Sequence, residues 1–252
     1  MSLLQGADTS NRPRNDLLTH LSDGDYALIA PHLSVDRQAP NETLYNPGDN
    51  VETVYFPCDT SAACFVLSVQ DGREVQVLMI GREGAVGGIV SHGRLPAFSR
   101  SIVRFGGRFA RLPVARLEAA KVKSPTLANL FARYADCLLA QTLQGSACNA
   151  AHSIEQRAAK WILVTMERTE RDVVPLGHEQ LATMLGIGRS YASRVIMALR
   201  AQGILETGRM EFRVLDETLL RSKSCNCDEA VRAHFKDVLG EVYPAAEITP
   251  RT

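Results

Sequence analysis

The sequence lacks any long apolar run. No stretch of about 18 or more apolar residues occurs in its 252 residues, and a helix that crosses a bilayer needs about 20. The segment 1–11 contains no basic cluster followed by an apolar stretch, so it does not look like a secretory signal. We therefore expect a cytoplasmic protein that does not bind or cross a membrane.

The chain also lacks a net charge, because 28 Lys and Arg side chains balance 28 Asp and Glu side chains. This balance excludes a general attraction to nucleic acid, so any binding surface of that kind must come from local segregation of charge. The motifs Gly-x-Ser-x-Gly, His-Glu-x-x-His and the P-loop are all absent. We therefore expect no enzymatic activity.

Cysteines are few, and they form no Cys-x-x-Cys pair. The unusual pair is Cys225-x-Cys227, for which a metal or redox site with His234 is one interpretation. Two close thiolates leave a zinc ion short of the four ligands that it prefers. We therefore predict no metal site and expect these cysteines to pack the C-terminal tail. No histidine lies in a haem-binding motif, so haem is not expected either.

Short β-type runs dominate the segment from residue 43 to residue 112, after a helical region over 16–32. Turn residues separate these runs, and Asp71-Gly72 predicts a hairpin with a type I′ turn, whose central residues both need positive φ. Short strands at this spacing indicate a small barrel or sandwich. The runs are 54–56, 63–69, 75–80, 101–105 and 108–112.

A long helix is predicted from Ser124-Pro125 to about His152, because Ser is a good cap and Pro suits the first helical position. Residues along it recur at alternating spacings of three and four, which is typical of a coiled-coil seam. One face of an ordinary packed helix is the alternative, but we expect an interface between two subunits. The seam residues are Leu127, Leu130, Tyr134, Cys137, Gln141, Gln144 and Cys148.

A helix-turn-helix is predicted from about Gly177 to Gln202. A first helix ends in an apolar Met184-Leu185 pair, and Gly186 then supplies the left-handed conformation of a tight turn. A second amphipathic helix follows, and its apolar residues are Ala192, Val195, Ile196 and Leu199. Such a second helix can enter the DNA major groove.

The polar face of this second helix carries the candidate base contacts. The guanidinium fork of arginine matches O6 and N7 of guanine, which suits Arg189 and Arg194. The segment from residue 187 to residue 214 contains five arginines and two glutamates, so positive charge is concentrated there. Further predicted DNA contacts are Ser190, Tyr191 and Ser193 on the helix, His178 at the start of the first helix and Arg209 in a predicted two-stranded wing.

These segments resemble the Crp/Fnr family of bacterial transcription regulators. The resemblance rests on Leu181-Ala182-x-x-Leu185-Gly186, Arg189, Arg194, Gly203-Ile204-Leu205, Asn46-Pro47-Gly48-Asp49, Asp71-Gly72-Arg73 and Gly81-Arg82-Glu83-Gly84. It implies an α+β protein: a β-roll sensor with N-terminal helices over 1–123, similar to cyclic-nucleotide-binding domains, a dimerisation helix over 124–152, and a winged helix-turn-helix with a helical tail over 153–252. A narrower group of the family shares Cys148-Asn149, the run 152–157 and a late Cys-x-Cys.

Two departures from the family pattern matter. Relatives that read TGTGA-type half-sites have glutamate where this chain has Ser190, so we expect another half-site. Cyclic-AMP binders have a Gly-Glu pair about ten residues before an Arg-Ser or Arg-Thr pair. Here Ile89-Val90 precedes Arg100-Ser101, and Glu83 lies seventeen residues before Arg100.

Cyclic AMP is therefore not expected, although Glu83, Arg100 and Ser101 stay candidate effector residues for an unidentified signal. The N-terminal cysteines of the iron–sulfur members are missing, because no cysteine precedes Cys58. We predict a homodimer on pseudo-palindromic double-stranded DNA, and contact with RNA polymerase is left open. The alternatives are a thiol- or metal-based redox regulator acting through Cys225 and Cys227, and a ligand-free β-roll scaffold.

Overall fold

A computed structural model describes residues 12–208, 210–240 and 242 of the chain. Two short helices, α1 (Asp16–His20) and α2 (Asp23–Ile29), begin it, and a 3₁₀ turn follows. The helical region predicted over 16–32 is therefore split. The reason is a second cap: the Ser22 side chain accepts a hydrogen bond from the Asp25 amide, and Asn15 caps α1 in the same way.

Two antiparallel sheets form the β-roll, in the strand orders β1-β7-β3 and β2-β6-β4-β5. The strands are β1 (Ser34–Gln38), β2 (Thr43–Tyr45), β3 (Thr53–Pro57), β4 (Ala62–Ser68), β5 (Glu74–Ile80), β6 (Arg100–Phe105) and β7 (Gly107–Pro113). All five predicted runs are confirmed as strands. β1 was not predicted, because its residues are almost all exposed and give no alternating pattern.

The hairpin predicted at Asp71-Gly72 is confirmed, but the predicted turn type is wrong. Gly72 alone has a positive φ, of 80°, while Asp71 does not. The Gly72 amide donates to the Val69 carbonyl, and the Val69 amide donates to the Arg73 carbonyl, both at 2.9 Å. This is a three-residue loop with glycine in the bulge position, so β4 and β5 are joined without a type I′ turn.

Two helices follow the β-roll, α3 (Val114–Lys123) and α4 (Pro125–Ala151). The start predicted for the long helix is confirmed, because the Ser124 hydroxyl accepts from the Leu127 amide at 3.1 Å. Although α4 is long, no helix in the described residues is apolar enough over sufficient length to cross a membrane.

The C-terminal part begins with α5 (Ile154–Thr169), which has a capping box of Ser153 and Gln156. The remaining elements are β8 (Val173–Val174), α6 (His178–Leu185), α7 (Arg189–Ala201), β9 (Leu205–Gly208), β10 (Glu211–Val214), α8 (Glu217–Lys223) and α9 (Cys227–Gly240). The three strands form a small sheet in the order β8-β10-β9. A separate apolar core lies beneath α6 and α7.

The seam predicted on α4 does not face a second subunit, and that prediction is wrong. Leu127, Leu130, Tyr134 and Cys137 have no exposed surface within the single chain. The chain itself covers this face: the Tyr134 ring lies 6.3 Å from the Phe235 ring of α9. The Tyr134 hydroxyl bonds both the amide and the carbonyl of Ala85, at 2.9 and 3.0 Å.

The polar half of the seam is also used within the chain. Gln141 is half-buried and donates to the Met79 carbonyl of β5 at 3.3 Å. Gln144 donates to the Sγ of Cys227 at 3.2 Å. The seam residues recur at this spacing because they form the face of α4 that packs against the β-roll and α9.

Candidate nucleic-acid interface

The turn between α6 and α7 has the geometry that a helix-turn-helix needs. Gly186 ends α6 with a φ of 68°, in the left-handed region. The Ile187 amide donates to the Ala182 carbonyl at 3.0 Å, which closes the last turn of α6. α7 begins three residues after Gly186, so a short connection fixes the two helices relative to each other.

α7 divides cleanly into a buried and an exposed side. Its buried residues are Ala192, Val195, Ile196 and Leu199. Arg189, Ser190 and Arg194 are exposed on the other side. Since the apolar face is occupied by the core, the polar face is available to a ligand outside the chain.

Tyr191 and Arg194 form a unit on this exposed face. The guanidinium carbon of Arg194 lies 5.0 Å from the centroid of the Tyr191 ring, which is within the range of a cation–π contact. Tyr191 is 38% exposed, so the stack lies at the surface. The ring therefore restricts the directions that the Arg194 fork can take.

His178 and Ser193, both predicted to contact DNA, bind each other. The Nδ1 of His178 lies 2.9 Å from the Ser193 hydroxyl, and the imidazole packs on Phe212 with ring centroids 5.5 Å apart. Both side chains are half-buried. The pair fixes the start of α6 against the middle of α7, so their shared role in the chain is to position α7 relative to α6.

The predicted wing is present as the β9–β10 hairpin, next to α7. Arg209, the residue predicted at its tip, lies outside the described residues. Met210 at the tip is 63% exposed. Arg213 on the return strand is also exposed, with its guanidinium 3.8 Å from a carboxylate oxygen of Asp172. A basic side chain thus lies exposed on the return strand of the wing.

The candidate effector residues do not converge on one site. Arg100 donates to both carboxylate oxygens of Glu74 at 2.5 Å, and Ser101 is 2% exposed within β6. Glu83 instead accepts from the Gly81 amide at 2.9 Å and from Arg168 at 2.6 Å. The three candidate effector residues are therefore not brought together, and a role for any of them in effector binding stays a prediction.

Glu83 connects the two halves of the protein. Its partner Arg168 belongs to α5, the first helix of the C-terminal part, and the neighbouring Arg82 contacts Glu170 at 3.0 Å. A second contact lies at the β4–β5 hairpin, where Val75 approaches the Gly186 turn and a groove of 210 Å³ also includes Arg189. The β-roll therefore contacts the C-terminal part at two places.

Sequence reasoning missed a cluster of thiols at the far end of α4. Cys148 on α4 and His152 at its end meet Cys225 and Cys227, which precede and begin α9. The expectation that the last two cysteines lack further ligands is wrong. The signal was the spacing of Cys148 and His152, since residues four apart share one helix face.

His234, the partner suggested for this cluster, is exposed on α9 and is not among the four residues that meet. Burial raises the pKa of the Cys225 thiol to about 11, although the Cys227 amide acts in the opposite direction. The cluster is therefore built from four residues of the α4 end and the α9 start.

Comparison with known proteins agrees with this architecture. Residues 156–223 match the model of the Crp-like helix-turn-helix domain, and the search of curated proteins finds no match. FixK2 from Bradyrhizobium japonicum is 17% identical, with a TM-score of 0.62 over 77% of this chain and 98% of its own. The c-di-GMP responsive regulator CLP from Xanthomonas campestris is 18% identical, with a TM-score of 0.64 over 77% and 100%.

A transcriptional regulator of the Crp/Fnr family from Eubacterium rectale, described as putative, is 15% identical. It aligns with a TM-score of 0.62 over 82% of this chain and 96% of its own. The family resemblance drawn from the sequence motifs is thereby confirmed for the fold and for the C-terminal domain, while the narrower subgroup stays a prediction. The chain carries a Crp-like helix-turn-helix domain within the fold of the Crp/Fnr transcription regulators.

Proposed function

We propose that this chain is a sequence-specific transcription regulator that reads DNA with the N-terminal half of α7. The observation that carries the proposal is the division of α7: its apolar face is buried in the core while Arg189, Ser190 and Arg194 are exposed. A helix presented in this way enters the major groove with its first residues on base edges. Arginine at those positions favours guanine.

The base contacts divide into two kinds. Arg189 is the first residue of α7 and is exposed, so it is the stronger candidate for a bidentate contact with guanine. Arg194 stacks on Tyr191, and this unit suits an adjacent base or phosphate. The Ser190 hydroxyl can donate a hydrogen bond to a base or accept one from it, so serine discriminates between bases less strictly than glutamate does.

Phosphate contacts would come from the flanks of the helix-turn-helix. Arg213 belongs to the wing, and Arg200 is exposed at the end of α7. Such contacts set the register of the protein on the duplex without reading its sequence. Binding should therefore weaken steeply with salt, because each neutralised phosphate releases counterions.

We further propose a homodimer that forms through the exposed face of α4, opposite the buried seam. Leu139 and Leu143 are 58% and 62% exposed, although large apolar side chains favour burial. They belong to an exposed stripe at alternating spacings of three and four, which is the geometry of a two-helix interface. The stripe is Ala132, Asp136, Leu139, Leu143, Ser146 and Ala150.

Two reading helices related by such a dimer axis would contact half-sites about 34–36 Å apart on a pseudo-palindrome. The signal would act through the contacts between Glu83 and Arg168 and between Val75 and the Gly186 turn. A ligand or modification that favours one arrangement of these contacts shifts the population of DNA-binding poses.

Selection from a random duplex library, followed by a binding titration on the selected duplex, tests the proposal. Arg189→Ala should weaken binding roughly 5- to 150-fold for each half-site, because one bidentate base contact is lost in each. Arg116→Ala is the matched control, because Arg116 is an exposed arginine on α3, remote in sequence from the reading helix. If Arg189→Ala and the wild type bind the selected duplex with equal affinity, the proposed base contact of Arg189 is excluded.

A further inference from the structure

The four residues of the thiol cluster, Cys148, His152, Cys225 and Cys227, have the geometry of a metal site. Their ligand atoms all lie within 4.8 Å of one another. The two sulfurs of Cys148 and Cys225 are 3.7 Å apart, and the sulfur of Cys227 lies 3.5 Å from Nδ1 of His152. Zinc bonds of about 2.3 Å to sulfur and 2.0–2.1 Å to nitrogen give tetrahedral edges of about 3.8 Å and 3.6 Å, which match both distances.

The surroundings of the cluster suit bound thiolates. Three thiolates and a divalent ion carry one net negative charge, and the Lys160 ammonium lies 3.4 Å from the Cys148 sulfur. The Gln144 amide donates to the Cys227 sulfur at 3.2 Å. Donors of this kind orient metal ligands and offset their charge. The three cysteines are also shielded from solvent, since none is more than 9% exposed.

We propose that Cys148, His152, Cys225 and Cys227 bind a single zinc ion as a structural site. Three cysteines and one histidine are a ligand set of closed tetrahedral zinc sites, in which no position is left for water or substrate. An iron–sulfur cluster distributes its cysteines over different iron atoms, whereas these four ligand atoms all lie within 4.8 Å of one another, close enough for one ion. Each thiol that is protonated before binding gives up its proton to solvent as the metal–sulfur bond forms.

The ion would join two parts of the chain that are distant in sequence. Cys148 and Cys225 are 77 residues apart, and the first lies near the end of α4 while the second precedes α9. α9 in turn covers the buried face of α4 through Phe235 and Tyr134. The metal would therefore fix α9 on α4, close to the junction between α4 and α5 where the helix-turn-helix domain is attached.

Metal analysis of the full chain, purified in reductant without chelator, tests this proposal. The wild type should hold one zinc ion per chain, whereas Cys148→Ser and Cys227→Ser should each lose it. Cys137→Ser is the matched control, because Cys137 is a buried thiol of α4 outside the cluster, and it should keep the ion. Zinc that persists in both cluster variants would be adventitious and would overturn the site.

A second measurement uses the wild type alone and does not depend on the folding of the variants. After removal of the metal, titration with Co²⁺ should produce the visible absorption of tetrahedral thiolate-bound cobalt, saturating at one ion per chain. The thermal midpoint should rise with it, since an ion bound by the native state stabilises that state. Lack of both changes, or iron recovered with sulfide from the isolated protein, would contradict a mononuclear zinc site. Neither result depends on DNA binding.

Discussion

The Nη1 atom of Arg168 lies 2.6 Å from a carboxylate oxygen of Glu83. The two side chains are only 18% and 29% exposed, and they belong to the helix-turn-helix domain and to the β-roll. The same carboxylate also accepts from the Gly81 amide, so its position is fixed from both sides. This ion pair is a direct connection between the part that would sense a signal and the part that would read DNA.

Replacing Glu83 with Gln should destabilise the chain by about 1–3 kcal/mol, because it leaves the charge of Arg168 without its partner. Denaturant unfolding measures the change. Glu74→Gln is the control: Glu74 also pairs with an arginine, but within the β-roll at 43% exposure, so its loss should cost about 0–1 kcal/mol. Equal effects of the two substitutions would show that the Glu83 pair is an ordinary surface contact.

Two glycines should respond to alanine in opposite directions. Gly186→Ala places a side chain in the left-handed region at a φ of 68°, which costs about 1–2 kcal/mol. Gly145→Ala lies within α4 with no atom within 4 Å of the added Cβ, so it should stabilise by about 0.5–1 kcal/mol. Thermal unfolding compares them, and destabilisation at both positions would contradict the assigned backbone conformations.

The exposed face of α4 should determine the oligomeric state. Leu143→Glu places a charge in the proposed interface, so the protein should elute as a monomer of 27.6 kDa while the wild type has twice that mass. Val122→Glu is the control, since Val122 is 79% exposed on α3, outside the stripe. Light scattering coupled to size exclusion measures both. A dimer that tolerates Leu143→Glu would place the interface elsewhere.

Local patterns predicted local structure well. The β-type runs, the Ser124 cap and the glycine turn at Gly186 depend on neighbours in sequence, and the structure has all of them. The seam on α4 shows the limit, because a period of three and four indicates that a face is buried without indicating what buries it. Tyr134 packs against Phe235, and a single chain's periodicity contains no information about that contact.

The thiol cluster shows the same limit at the site level. Cys225 and Cys227 form an incomplete ligand set within their own segment, and the missing ligands come from a helix that ends more than 70 residues earlier. Only the return of α9 onto α4 brings the two pairs together. The candidate effector residues show a related limit, because Arg100 and Glu83 each have a charged partner, Glu74 and Arg168, that only the fold places beside them.

If the first residues of α7 contact bases, exchanging one of them should change the DNA sequence that the protein selects. Ser190→Glu introduces a carboxylate that accepts a hydrogen bond from N4 of cytosine. Selection from a random duplex library with this variant should give a motif that differs from the wild-type motif at one position in each half-site, where cytosine becomes preferred. An unchanged motif bound with unchanged affinity would contradict the proposal that the first residues of α7 contact bases.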